Sequence, residues 1–257
     1  MNFIDTHSHL YSSKFDNDRE QVVKDAIKSG VSKILLPNIS SSYTEKMLDL
    51  CNLFPNNCFP MMGLHPCDVK ADSYDTELKH VEHELETKKY IAVGETGIDL
   101  YWDKSTIKLQ KKCFIFHIKL AKKHKIPIVI HVRESFDHVI EIIEDLNDDN
   151  LCGVFHCFSG NVEEANRIVN LNNFYLGIGG VLTFKNSTLK NTIEKVDIKH
   201  LILETDAPYL SPTPFRGKRN ESKYLVSIAE HLAQTMNLSI EEIAKHTTNN
   251  AKKLFSL

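Results

Sequence analysis

Residues 90–94 read YIAVG and residues 127–131 read PIVIH, two short apolar runs of strand length. The segment between them, 105–125, reads STIKLQKKCFIFHIKLAKKHK. Within it Ile107, Cys113, Phe114, Phe116, Ile118, Leu120 and Ala121 recur mostly at helical rather than alternating spacing. Strands apolar on both faces are buried parallel strands. A helix between two of them is the crossover that parallel pairing needs.

The same unit repeats outward in both directions. Strand-like runs fall near 2–5, 32–37, 58–62, 90–94, 127–131, 151–156, 174–178 and 200–204. Charged, helix-length stretches separate them, such as 17–29 with Val22, Val23, Ala26 and Ile27. Two helices close the chain, near 221–236 and 239–254, the second opened by a Ser239/Glu242 capping box. Eight such units in 257 residues predict a (β/α)8 TIM barrel spanning 1–257 as one domain. A doubly wound open sheet is the competing arrangement.

Composition narrows the function. The chain is 42% hydrophobic and 25% charged, which fits a folded protein rather than a disordered one. Its 31 basic and 34 acidic residues give a net charge of −3, unlike a protein that coats nucleic acid non-specifically. No apolar run is long enough to span a bilayer, and the first residues lack a signal-peptide layout, so a cytoplasmic location is expected. The six cysteines form no Cys-x-x-Cys pair and are expected to be reduced, mostly buried thiols. Met61 and Met62 are expected in the core.

The histidines and acids cluster by position. His7 and His9 follow the first strand, His65 the third and Glu95 the fourth. His131 ends the fifth, His156 the sixth, and Asp206 follows the eighth. All lie at C-terminal strand ends, the catalytic face of such a barrel. His7 and His9 are two residues apart, so on an extended chain they share a face about 7 Å apart. Six side chains, His7, His9, Glu95, His131, His156 and Asp206, exceed what one structural zinc takes. Two divalent ions bridged by Glu95 fit better, and such a pair suits phosphate-ester hydrolysis. Histidine donors favour zinc, manganese or iron, while magnesium prefers oxygen, so the metal's identity stays open, with Mg, Mn and Zn as the leading candidates.

At this point the residues resemble the TatD family of metal-dependent deoxyribonucleases. The resemblance runs through Phe3–Leu10 (FIDTHSHL), Pro127–Glu134 (PIVIHVRE) and Leu201–Leu210 (LILETDAPYL). Gly63–Pro66, Gly94–Gly97, His156–Gly160 and Arg216–Glu221 extend it over essentially the whole chain. It implies an amidohydrolase-type barrel, metal binding by the six residues above, and hydrolysis of DNA phosphodiesters. A 3′–5′ exonuclease or DNA-repair role, on single strands or 3′ ends, follows from the resemblance alone. The chain departs from the family pattern at Tyr11, where Asp or Asn is usual, at Ser135, and at Ser222, where Pro often follows Asn-Glu.

Further residues take expected roles. Asp5 and Glu204 each lie two residues before a proposed ligand and are read as orienting it, with Glu204 also a possible proton acceptor. Asp206 is expected both to bind metal and to take a proton from the attacking water. Arg133 and His65 are expected at the scissile phosphate. Arg216, Lys218 and Arg219 form a basic patch expected to bind phosphates. Tyr101 and Trp102 either stack on an unpaired base or plug the barrel mouth. Gly177, Gly179 and Gly180 either leave room for substrate or serve a turn. An amidase, lactonase or ester deacylase of the same superfamily is the alternative. Many such enzymes bridge their metals with a carboxylated lysine at the end of the fourth strand. No lysine occurs between Lys89 and Lys104, which favours the nuclease branch. No membrane and no stable protein partner is expected, and a metal-stabilised scaffold is the remaining non-catalytic reading.

Overall fold

A computed structural model describes residues 1–257. Eight strands appear where eight were expected: β1 (Phe3–Asp5), β2 (Val31–Pro37), β3 (Cys58–Met61), β4 (Val93–Asp99), β5 (Ile128–Arg133), β6 (Gly153–Phe155), β7 (Phe174–Ile178) and β8 (Leu201–Leu203). Every pairing is parallel, in the order β1-β2-β3 and β4-β5-β6-β7-β8. Two single bridges join these arcs. Met62 pairs with Val93, and Ser8 with Ala207, both parallel. The sheet therefore closes into a (β/α)8 barrel, and the open-sheet alternative falls.

The helices are α1 (Arg19–Lys28), α2 (Ser41–Leu53), α3 (Tyr74–Thr87), α4 (Ile107–His124), α5 (Phe136–Leu146), α6 (Val162–Val169), α7 (Leu189–Ile193), α8 (Leu225–Met236) and α9 (Ile240–Phe255). Most expected bounds are met within two residues. The 221–236 helix starts later, at Leu225, because Ser222–Tyr224 forms a separate 3-10 turn. The capping box of α9 is present, with Ser239 and Glu242 each bonding the other's backbone N–H. No helix is long and apolar enough to cross a membrane.

The largest correction concerns the fourth strand. It was expected at 90–94, but the ladder runs Val93–Asp99, so Glu95 lies inside the strand rather than after it. Between Val93 and Thr96 the register against β5 slips by one residue, since Val93 faces Ile128 and Thr96 faces Ile130. Such a bulge re-aims the side chain it contains.

The barrel interior is layered. Ile4, Leu35, Met61, Ala92, Val129, Val154, Tyr175 and Ile202, one residue from or beside each strand, pack together with Ala251, Leu254 and Phe255 of α9. This apolar ring fills the N-terminal half, and the end of α9 seals it. A larger cluster, including Met62, lies between strands and helices. None of the six cysteines is paired. Cys51, Cys58 and Cys113 are buried, whereas Cys67 is exposed and Cys152 and Cys157 are half-buried, so fewer are buried than expected.

Candidate metal centre

The polar layer sits above this ring, at the C-terminal strand ends. His7 and His9 lie on the segment that leaves β1. Backbone bonds pin it to the end of β8: Asp206 N–H donates to the His7 carbonyl (2.9 Å) and His9 N–H to the Ala207 carbonyl (2.7 Å). Asp206 itself adopts the left-handed conformation, φ 57°, which Asp tolerates better than most residues and which is common at functional sites. The β4 bulge delivers Glu95, β5 delivers His131, and the turn after β6 delivers His156.

These six side chains converge, and Glu95 stands between two groups of them. Its Oε2 lies 3.1 Å from His7 Nε2 and 3.5 Å from His9 Nε2. Its Oε1 lies 2.8 Å from both His131 Nδ1 and His156 Nε2. Asp206 Oδ1 lies 3.5 Å from His9 Nε2 and 3.9 Å from His7 Nε2. His7, His9, Glu95 and Asp206 are buried or nearly so.

The spacing tests whether cations fit. Ligand atoms about 2.1 Å from one ion sit roughly 3.0–3.4 Å from each other at octahedral or tetrahedral angles. The observed separations cover that range. The Nε2 atoms of His7 and His9 stand 3.3 Å apart, and two lone pairs aimed at one point need a cation or a proton between them. The donor set, four imidazoles and two carboxylates, is one that divalent metals take. Burial by itself would raise the Glu95 carboxyl, but the charges of His156, His65 and His7 and the His131 hydrogen bond hold it well below the usual range. Asp206 is likewise held low against its burial, chiefly by His9 and the neighbouring histidines.

Outer partners fix two of the rings. His131 Nε2 faces Asp99 Oδ2 at 2.9 Å. A carboxylate only accepts, so with a cation at the centre Nε2 would keep the proton for Asp99 and Nδ1 would turn its lone pair to the ion. Burial opposes ionisation of Asp99, yet His131 and the N–H groups of Tyr101 and Trp102 bring its carboxyl down to about 2. Sequence reasoning missed Asp99. It lies four residues after Glu95 on the same strand, so a period of two would have pointed both carboxylates inward. Glu204 Oε1 lies 3.4 Å from His156 Nδ1 and accepts the Cys157 N–H, while its Oε2 is buried without a partner. Gly177 makes room for that carboxylate, because a Cβ there would sit 2.3 Å from Glu204 Oε2. Gly180 has the same relation to the Leu210 carbonyl. Gly177 and Gly180 therefore answer a packing need, whereas a Cβ at Gly179 would meet only ordinary contacts.

Asp5 departs from its expected part. It binds Thr205 through the backbone N–H (2.9 Å) and the hydroxyl (2.7 Å) and meets only the backbone N–H of His7 (3.4 Å). It ties β1 to the end of β8 rather than orienting the imidazole. Burial pushes its carboxyl up to about 7.

His65 reaches the centre, with Nε2 3.3 Å from Glu95 Oε1. Its Nδ1 accepts the Cys67 N–H at 3.1 Å, so Nε2 carries the proton and His65 presents a donor. Arg133 makes no salt bridge to Glu134. Its guanidinium lies over Tyr101 at 3.7 Å and over Trp102 at 5.7 Å. Arg133, Trp102 and His65 line one cavity of about 650 Å³ with His9, Glu95, His131, His156 and Asp206. Tyr101 and Trp102 are 50% and 71% exposed, so neither plugs the mouth. Arg133 covers the Tyr101 ring closely, while Trp102 keeps most of its surface exposed.

The basic patch is not assembled as expected. Arg219 forms a two-pronged pair with Asp18 (2.8 and 2.6 Å), meets Glu221 at 3.1 Å and covers Phe15. Arg216 donates to the Ser211 carbonyl and lies on Phe184. Neither they nor Lys218, which is exposed, line the central cavity. Asp18, 201 residues away, claims Arg219, whereas Arg216 stays exposed beside Ser211 and Phe184.

A closed parallel barrel with histidines and carboxylates gathered at its C-terminal mouth is the arrangement of a metal-dependent hydrolase. The chain belongs to the TatD family: the family described as TatD related DNase matches residues 4–256. It is 35% identical over 255 residues to the uncharacterized metal-dependent hydrolase YabD of Bacillus subtilis, covering 99% of each chain. It is 31% identical to YcfH of Escherichia coli K12, also described as an uncharacterized metal-dependent hydrolase, over 100% of this chain and 97% of that one. The crystal structure of YjjV, a TatD homologue from Escherichia coli K12, superposes with a TM-score of 0.92 at 30% identity, covering 99% and 98% of the two chains.

Proposed function

We propose that the protein hydrolyses DNA phosphodiester bonds at a two-metal centre held by His7, His9, Glu95, His131, His156 and Asp206, acting as a 3′–5′ exonuclease on single strands or 3′ ends. The observation that carries the two-ion reading is the division of Glu95, with one oxygen toward His7 and His9 and the other toward His131 and His156. The family description supports DNA as the substrate.

Divalent ions bound there supply a lowered pKa for water and positive charge against phosphate oxygens. The protein's own groups do the rest. Asp206, ionised at the edge of the cavity, accepts the proton of the attacking water. The Nε2–H of His65 and the Arg133 guanidinium donate to the phosphate oxygens, where charge grows in the transition state. Trp102 offers an exposed face to a base next to the scissile bond.

The test is incubation of the purified protein with end-labelled single-stranded DNA, with Mg²⁺, Mn²⁺ or Zn²⁺ and with EDTA. The expected result is a ladder that shortens from the 3′ end and disappears with EDTA or in Glu95→Gln. A folded, metal-loaded protein that cleaves no DNA under any metal would overturn the proposal and redirect the search to amides, lactones and other esters.

A further inference from the structure

We infer that Tyr11 is a positioning residue that commits His9 to its metal-binding tautomer through a neutral hydrogen-bond chain. This deepens the two-metal reading above and rests on it. Tyr11 is fully buried beside the centre. Its oxygen lies 2.9 Å from His9 Nδ1 and also meets the Pro37 carbonyl. A carbonyl can only accept, so the single phenolic proton goes to Pro37. The phenol oxygen must then accept from His9, which places the His9 proton on Nδ1. The lone pair falls on Nε2, the atom that faces Glu95 Oε2 and Asp206 Oδ1 at 3.5 Å each.

The ligand rings differ in their partners. His131 rests on the Asp99 carboxylate, while His156 Nδ1 lies 3.4 Å from Glu204 Oε1 without a completed hydrogen bond. His9 rests on an uncharged phenol, and His7 Nδ1 is buried with no partner at all. On the His7/His9 side, Tyr11 therefore supplies the one outer hydrogen bond to a ligand ring. Losing an outer partner of a ligand histidine typically lowers metal affinity 10–100-fold, and here the loss falls on one side of the centre.

The test loads the full chain with Zn²⁺ and follows its release during EDTA titration, for wild type and Tyr11→Phe. In the variant, one ion should leave at 10–100-fold lower chelator while the other stays unmoved. Asp99→Asn should shift the complementary ion. Release unchanged in Tyr11→Phe, or both ions shifting alike, overturns the inference. A second readout needs no variant: long-range ¹⁵N–¹H correlation of the chelated, folded wild-type chain should show His9 protonated at Nδ1, and protonation at Nε2 overturns the inference. Failure of the wild type to take up zinc would instead strike the metal reading, with the ring measurement still deciding the part played by Tyr11.

Discussion

Asp99 supplies no ligand atom to the proposed centre, yet it decides which nitrogen of His131 faces Glu95. Asn in its place keeps one acceptor oxygen and loses the charge. Asp99→Asn should therefore lower metal affinity about 10–100-fold without unfolding the protein. Competition with a chelator measures this, and wild-type affinity would show that the strand alone sets the ring. The arginines separate in the same way. Arg133 reaches the cavity, so Arg133→Ala should lower kcat/KM on DNA roughly 100-fold or more, as loss of one donor to developing charge does. Arg219 is engaged by Asp18 and Glu221, so Arg219→Ala should leave KM near wild type and cost under about 1 kcal/mol, as half-exposed pairs do. A KM raised by Arg219→Ala would restore the basic loop as a phosphate contact. The distinction was not legible in the sequence, because Arg219 and its partner Asp18 lie 201 residues apart. The histidines were legible because each stands next to an apolar run that marks its strand.

At the scale of elements, β4 and α4 show where sequence patterns hold and fail. The strand is placed three residues early because its apolar run ends at Gly94, while the ladder continues through the polar residues Glu95, Thr96 and Asp99. Helix α4 was legible from its spacing, but not the duty of one residue on it. His117 is fully buried. Its Nδ1–H donates to the Cys113 carbonyl at 2.7 Å, and its Nε2 accepts the Leu64 N–H at 3.0 Å. The helix thus holds the loop that carries His65. Burial lowers the His117 imidazole from its ordinary 6.5 to about 4. An unfolded chain takes up this proton near pH 6.5 and the folded chain only near pH 4. Between those values the unfolded state binds more protons, so stability is full above pH 6.5 and falls as pH drops toward 4, by about 3 kcal/mol from this group. Asp5, raised to about 7, works in the opposite direction, so the comparison must be a difference. Denaturant unfolding of wild type and His117→Gln should show a stability gap that narrows as pH falls from 6.5 to 4. A gap independent of pH would mean that His117 titrates normally in the folded protein.

The whole molecule stacks two layers inside one barrel, and each depends on something outside the strands. The lower ring of Ile4, Leu35, Met61, Ala92, Val129, Val154, Tyr175 and Ile202 is closed by Phe255 and Leu254 of α9. The strand runs announced the ring, but nothing local in 239–254 showed that the chain's last helix would seal it. Phe255→Ala should cost about 3–5 kcal/mol as a large core truncation, lowering Tm by roughly 10 °C at this chain length. The upper layer buries Glu95, Glu204, His7, His9 and His156 among one another, an arrangement that costs free energy unless cations compensate it. Metal removal should therefore lower stability as well, by about 4 kcal/mol for each ion whose free concentration had stood at 1,000 times its Kd. The residues packed with Phe255 include none of the centre, so the two losses should add to within about 0.5 kcal/mol. Thermal melts of wild type and Phe255→Ala, each with metal and with EDTA, complete the cycle. Additive losses mean that the ring supports the barrel and the centre independently. A coupling above about 1 kcal/mol would mean that the apolar ring holds the strand ends in the geometry the metals require, and that metal affinity in Phe255→Ala must fall with stability.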